Sequence, residues 1–331
     1  NEIWLAGIGS AKEQALGIYA IDLSGRSRQV AATLDLEAMH DIAPGGRVLV
    51  EREISSRALA FGRTGERERD LSWLEDSSVA ALSPDGRTIL FTEWGEGGGS
   101  NGSVYLRTTD GAPAVRLGDG QALDLSPDGK SALTLVPGPS PRVILLPTGA
   151  GEPRTVPTAD LRVVAGSFLP PDGQRLLLIT NPPGQGARGY VTDAGGANPR
   201  PITPPGLTNG GAISPDGKFF AANGPDERAT IYPVAGGPPR PLPGLEPGEV
   251  PIQWRADGAS LFVGRYGEIP TKVYRYGLES GKKELWKEIA PEERSGLIRI
   301  EVVAVSRDGS AYAYTINRVT DSDLFLVTGW K

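Results

Sequence analysis

Apolar and β-branched runs of three to five residues alternate with short turn-forming clusters along the whole chain. Val79-Ala80-Ala81-Leu82 and Ile89-Leu90-Phe91 flank the cluster Ser83-Pro84-Asp85-Gly86, and Ala212-Ile213 and Phe219-Phe220-Ala221 flank Ser214-Pro215-Asp216-Gly217. Short runs bounded by Pro, Asp and Gly read as strands joined by tight turns, so each cluster predicts an antiparallel hairpin. Pro presets φ at the second turn position. Asp folds its carboxylate onto nearby N–H groups, and Gly supplies the left-handed residue that ends the loop.

Seven such clusters recur. They are Ala43-Pro44-Gly45-Gly46, Ser83-Pro84-Asp85-Gly86, Ser126-Pro127-Asp128-Gly129, Pro170-Pro171-Asp172-Gly173, Ser214-Pro215-Asp216-Gly217, Arg255-Ala256-Asp257-Gly258 and Ser306-Arg307-Asp308-Gly309. Their last glycines are 40, 43, 44, 44, 41 and 51 residues apart. A period of about 40–45 residues is that of a propeller blade. A third strand follows in most units, as at Ser103–Arg107, Val143–Leu146, Thr230–Pro233 and Val273–Tyr276, and a polar outer strand at Pro113–Leu117 and Pro199–Thr203. The expectation is an all-β propeller of four-stranded blades, read as one domain over 1–331.

Both ends look like incomplete blades. Glu2–Ala6, Gly17–Ile21 and Gln29–Ala32 read as second, third and fourth strands, and Glu301–Val305, Ala311–Ile316 and Asp323–Val327 as first, second and third. Strands from both ends sealing one blade give seven blades, the favoured count, and would remove two open sheet edges. Eight and six are the alternatives. The start at Asn1, in mid-blade, reads as part of a longer or processed chain.

Composition narrows the partners. A net charge of −6 without a long basic stripe argues against nucleic acid. No apolar run reaches the roughly 18–20 residues of a membrane span, so direct membrane insertion by this chain is not expected. With no Cys, disulfides and thiolate metal sites are excluded. Helical patterning is confined to Lys282–Arg294, a possible short helical turn interrupted by Pro291.

Candidate chemistry is sparse. Gly98-Gly99-Ser100-Asn101-Gly102 matches a nucleophile elbow, but it lies in a glycine-rich loop between strands rather than between strand and helix. Leu125 to Ser131 ends like a phosphate-binding loop but has Asp124 where the first glycine belongs. The one histidine, His40, has only Asp41 beside it and no metal-ligand spacing, though an inner-strand position would let it line a central channel. The turn aspartates fall in different blades and read as turn formers rather than calcium ligands. No metal or cofactor is expected.

Binding residues are sought in the connections between second and third strands. Three are long and mixed in chemistry: Glu93 to Asn101, Arg265 to Pro270 and Asn317 to Asp321. Trp94, Glu96, Asn101, Arg265, Tyr266, Glu268, Asn317 and Arg318 are the candidates, with His40 for the channel. Aromatic side chains beside Arg and Glu are typical of binding hot spots, although Trp94 and Tyr266 packed beneath their own loops is the competing reading. Trp4, Trp73, Trp254, Trp286 and Trp330 read as core or wedges between blades.

The Ser-Pro-Asp-Gly turn followed by a β-branched or aromatic run resembles the TolB-like propeller repeat; WD repeats fit less well, since no Trp-Asp dipeptide ends a blade. Glu68–Trp73, Leu145–Pro153, Gly244–Gly248, Glu284–Glu288 and Ser322–Val327 resemble segments of the TolB-like propellers at the carboxyl end of bacterial membrane-anchored serine/threonine protein kinases. That resemblance implies an extracytoplasmic sensor domain in the periplasm or cell envelope. A cytoplasmic setting is the alternative. No kinase motif is present, and the resemblance brings no catalytic residues. The functional expectation is a non-enzymatic module binding a protein segment, a peptide or a small ligand at the loop face or channel. The rivals are a propeller hydrolase (a lactonase using Asp41 and Asp124, or the propeller half of an oligopeptidase) and a scaffold in an envelope complex.

Overall fold

All seven glycine turns close hairpins in the computed structural model, which describes residues 2–10, 13–32, 38–158 and 161–330. Strands β1 (Glu2–Ser10), β2 (Glu13–Asp22) and β3 (Ser27–Ala32) come first, then β4 (Ala38–Ala43), β5 (Arg47–Arg63) and β6 (Arg69–Asp70). Next are β7 (Ser77–Leu82), β8 (Thr88–Glu93), β9 (Ser103–Thr108) and β10 (Val115–Asp119). Then come β11 (Gln121–Leu125), β12 (Ser131–Val136), β13 (Arg142–Pro147) and β14 (Arg154–Val156). They are followed by β15 (Val163–Leu169), β16 (Arg175–Thr180), β17 (Arg188–Asp193) and β18 (Arg200–Pro201). Strands β19 (Ala212–Ile213), β20 (Phe219–Asn223), β21 (Ala229–Pro233) and β22 (Arg240–Pro241) precede β23 (Val250–Trp254), β24 (Ser260–Gly264), β25 (Thr271–Gly277) and β26 (Lys283–Ile289). The last are β27 (Leu297–Val305) and β28 (Ala311–Val327), and the one described helix, α1, is the single turn Gly95–Gly98.

The described strands form seven antiparallel sheets, matching the count favoured from sequence. Five have four strands in chain order; β1-β2-β3 has three, and β27-β28-β5-β4 with β6 on β5 has five. This last sheet joins β27 and β28 to β5 and β4, whereas the amino-terminal strands expected to complete the last blade, β1 to β3, form a sheet of their own.

Each Ser-Pro-Asp-Gly turn is held in the same way. Gly86 N–H donates to Ser83 C=O at 2.8 Å, Ser83 Oγ donates to Asp85 Oδ1 at 2.6 Å, and Asp85 Oδ1 accepts Arg87 N–H at 3.0 Å. Gly86 sits at φ 67°, where a Cβ is strained.

The chain divides into two compact units where the sequence suggested one domain: residues 1–56, 295–298 and 318–331, and residues 57–294 and 299–317. Strands β5 and β28, each 17 residues long, run through both. In the first unit Ile18, Val48 and Val50 are buried, with Trp4, Val30, Met39, Val327 and Trp330 packed against them. The second unit contains the remaining blades, stacked face to face. Leu133, Val143 and Leu145 meet Phe168, Leu176 and Leu178 between two successive sheets. Trp254, Leu261 and Val263 meet Ala221 and Ile231 between another pair. Burial of these apolar faces is the main source of stability, at about 25 cal/mol per Å².

Two sequence expectations are corrected. Lys283–Ile289 is strand β26, not a helical turn, because pairing with β25 sets Glu284 opposite Arg275 and Glu288 opposite Lys272, so cross-strand charges override the helical propensity of Lys and Glu. Ala311–Ile316 and Asp323–Val327 are one continuous strand, β28, so the expected loop at Asn317–Asp321 does not exist.

Candidate functional site: the cavity of the second unit

The inner strands β7, β11, β15, β19, β23 and β27 of the second unit line one cavity of about 660 Å³. Six sheets thus surround it. Six was the lower alternative in the sequence reading, and the seventh sheet, β1-β2-β3, lies in the first unit. Half-buried small residues such as Ala80, Ala165 and Ala304 are among those lining the cavity. At the end carrying the hairpin turns the lining includes Pro84, Pro127, Pro171, Pro215 and Arg307. Five of the seven turns have Pro at the second turn position, four of these prolines lining the cavity; Ala256 and Arg307 occupy it in the other two, Arg307 in the turn between β27 and β28.

A recurring β-bulge shapes this wall. The inner-strand register slips between Val79 and Ala81, between Ala122 and Asp124 and between Pro251 and Gln253. A bulge disrupts the ladder locally and leaves backbone groups to be satisfied otherwise. Side-chain oxygens do this: Asp124 Oδ1 accepts Leu125 N–H at 2.8 Å and Gln253 Oε1 accepts Trp254 N–H at 3.0 Å. Asp41, in the first unit, does the same for Ile42 at 2.8 Å beside an identical slip in β4. Asp124 Oδ2 also accepts Phe168 N–H of the neighbouring inner strand at 2.9 Å. The two carboxylates singled out for lactonase-like chemistry are therefore both engaged with backbone.

Burial pushes the Asp124 carboxyl up to about 6, against the pull of its two backbone donors and of the Arg307 charge. Burial lowers the Arg307 guanidinium from its usual value while Asp124 supports its charge. No carboxylate lies within ion-pairing distance of Arg307 among the described residues; its backbone N–H donates to Pro84 C=O at 3.3 Å. Glu301, also on the wall, is paired with the Arg299 guanidinium, whose Nη2 donates to its Oε1 at 2.9 Å, and the same oxygen accepts Asn317 Nδ2 at 2.9 Å.

The sequence candidates separate. Tyr266, from the β24–β25 connection, lines the cavity, and burial pushes its hydroxyl up to about 12. Its neighbours Arg265 and Glu268 pair with each other at 3.3 Å. Trp94 is half-buried: the Arg57 guanidinium lies 5.3 Å from its ring, and its Nε1 is buried without a partner. Arg57 is fixed by two bonds to Asp76, at 2.6 and 2.8 Å. Glu96 is exposed in α1 and Asn101 is half-buried in the turn that follows. The Gly98–Gly102 match therefore has a one-turn helix before it and strand β9 after it, not an elbow.

Asn317 is on the strand β28 and bonded to Glu301. Arg318 is also on β28, not in a loop, and belongs to the first unit, where its Nη1 donates to Ser295 C=O at 3.2 Å. His40 likewise belongs to the first unit. Its Nε2 is 2.7 Å from Glu51 Oε2, and Ser322 Oγ donates to Glu51 Oε1 at 2.8 Å. His40 is not among the residues lining the second unit's cavity. Arg307 was missed from sequence, although an Arg where sister turns carry Pro was a readable signal. Among the described residues no three of His, Asp and Glu converge as metal ligands.

Comparison with known proteins bears on the fold. No family model matches the chain, and no curated protein matches it. Among solved structures, a putative TolB from Agrobacterium tumefaciens superposes with a TM-score of 0.58 at 16% identity, over 81% of this chain and 99% of that one. A chain of a nidogen/laminin complex superposes at 0.53 and 15% identity, over 76% of this chain and 99% of that one. An oligogalacturonate lyase from Vibrio parahaemolyticus gives 0.50 and 16%, over 78% of each. At such identities the likeness is one of fold alone, and in fold the chain is similar to TolB-like β-propellers.

Proposed function

We propose that this chain is a non-enzymatic binding module whose ligand, a peptide, a protein segment or a small molecule, enters the cavity enclosed by the inner strands of the second unit. The observation that carries the reading is the division of labour among the wall's polar groups. Asp124, Gln253 and Glu301 are committed to bonds within the protein. Tyr266 and Arg307 line the space, and neither the hydroxyl nor the guanidinium is bonded to a protein partner among the described residues. An apolar concave wall with a few free, placed polar groups is the usual make-up of a binding site. A likeness to chains as different as a TolB and a member of a nidogen/laminin complex supports a scaffold that carries varied partners.

The setting follows from the resemblance to kinase-associated propellers: an extracytoplasmic sensor domain of a receptor-like kinase, with the module reporting ligand occupancy. The test is ligand-observed NMR with mixtures of short peptides and small metabolites, comparing the wild type with Ala304→Phe, which fills part of the cavity. Saturable binding lost in the filled variant is the expected result. Binding that survives it places the site elsewhere.

A further inference from the structure

The turn-side mouth of the cavity is chemically asymmetric. Pro84, Pro127, Pro171 and Pro215 offer no charge and no N–H, whereas the corresponding position of the last turn carries Arg307. The Ser306–Asp308 bond at 2.6 Å and the Gly309-to-Ser306 backbone bond at 2.9 Å hold this turn as in its sisters, so the Arg is not needed to form it. Its guanidinium has five donors in a planar fork. No carboxylate among the described residues pairs with it, and its surroundings are partly desolvated. The one carboxyl that supports its charge, Asp124, is tied to two backbone N–H groups and forms no direct pair with it, so the donors of the fork are left for an anion from outside.

We propose that Arg307 is the anion-recognition residue of the cavity and that its ligand is a monocarboxylate with an apolar body. This rests on the cavity being the binding site. One guanidinium, with Asp124 nearby on the wall, suits a single negative charge; a phosphate dianion would need further cations. The body of the ligand lies along the small lining residues Ala80, Ala165 and Ala304. Tyr266 offers a hydroxyl to a polar group on the ligand. A free organic acid and a peptide carboxyl terminus share this chemistry.

The test uses 4-phenylbutyrate against its amide, acetyl-Ala-Leu-Phe with a free carboxylate against its terminal amide, and inorganic phosphate. Each is titrated into the chain while the Nε–H resonance of Arg307 is followed. The acids should bind at least about tenfold tighter than the amides, shifting the Arg307 resonance. Arg307→Met and Arg307→Gln, which keep the turn, should abolish that preference with an unchanged melting temperature. The tighter of the two acids identifies the source.

Equal binding of acid and amide, with shifts at Ala304 and Tyr266, would overturn the carboxylate reading and leave the cavity reading standing. Phosphate binding tighter than the acids would overturn it too. So would an acid preference that survives Arg307→Met. No saturable shift of Arg307 with any carboxylate up to about 10 mM, weaker than the ~4 kcal/mol of millimolar binding, overturns it without recourse to the variants.

Discussion

Tyr312 donates its hydroxyl proton to Glu68 Oε1 at 2.5 Å, and Tyr314 donates to the other oxygen of the same carboxylate at 2.6 Å. Glu68 precedes β6, near the start of the second unit, and the tyrosines lie on β28 at its end, so one carboxylate ties the two halves of the closing sheet. Both tyrosine rings are buried, and Trp286 of the preceding sheet stands edge-on to Tyr312 at 5.9 Å. Burial, and then the Glu68 bond, raise the Tyr312 hydroxyl well above its ordinary value. Bonds to a charged acceptor are worth about 1.5–3 kcal/mol each, and leaving buried hydroxyls unpaired adds a penalty. Glu68→Ala should therefore lower the unfolding free energy by about 3 kcal/mol or more in urea titrations. Tyr314→Phe should cost about 1–2 kcal/mol, and the double variant less than the sum. Additive losses would show that these groups do not act together.

The turn aspartates act through local bonds, as expected from sequence. Asp128 Oδ1 accepts Ser126 Oγ at 2.7 Å and Lys130 N–H at 3.1 Å, and these two, in that order, hold its carboxyl below the usual range. Asp128→Ala should cost about 0.5–2 kcal/mol, the range of a comparable cap. Because the folded carboxyl titrates lower than the unfolded one, this contribution is present above the unfolded value near pH 4. It is lost as the pH falls through the folded value. Melting curves of wild type and variant should converge in acid; a gap that persists there would assign the loss to something other than the carboxylate.

These turns were legible because their demands are local: a left-handed Gly, a pre-set Pro and an Asp returning to its own backbone. The role of Asp124 was not legible. It depends on a register slip that leaves Leu125 N–H free and on Phe168, 44 positions away, coming alongside. Strand β26 was misread for a similar reason, since Lys283, Glu284 and Glu288 favour a helix until β25 supplies opposite charges. The loop expected at Asn317 failed because polar residues in a paired strand look like a loop when the partner is unseen. Tyr266 was found by residue type alone, while Arg307 needed the seven turns to be aligned and the one charged residue at their second position noticed.

Asp124 gives a pH dependence of opposite sign to Asp128. Its carboxyl titrates at about 6 in the folded chain, against an ordinary value of 3.8. Between these pH values the folded state holds a proton that the unfolded state has released. Stability from this group is thus full below about pH 4 and is lost as the pH rises to about 6, on the order of 3 kcal/mol in all. Asp124→Asn removes this titration, although its amide accepts only one of the two backbone donors well. The melting temperature of wild type minus that of Asp124→Asn should fall between pH 4 and 6 and then level off. A difference that is flat or rising over that interval would refute the assignment.

Trp94 and Tyr266, alike as sequence candidates, should behave differently on substitution. Trp94 lies under the Arg57 guanidinium, its backbone N–H donates to Asp76 C=O at 2.9 Å, and Gly102 packs closely on its ring. Removing the indole exposes Arg57 and empties a packed space, so Trp94→Ala should cost about 2–4 kcal/mol of stability. Tyr266 lines the cavity and its hydroxyl has no protein partner among the described residues, so Tyr266→Phe removes only a donor that a ligand would use. Its melting temperature should stay within about 1–2 °C of wild type, since no internal bond is lost. Affinity for a cavity ligand with a polar tail should fall by about 1 kcal/mol, one neutral hydrogen bond. Thermal melts and calorimetric titrations of both variants decide this. A stable Trp94→Ala with lost affinity, beside a Tyr266→Phe that binds as wild type does, would move the site from the cavity to the loop after β8.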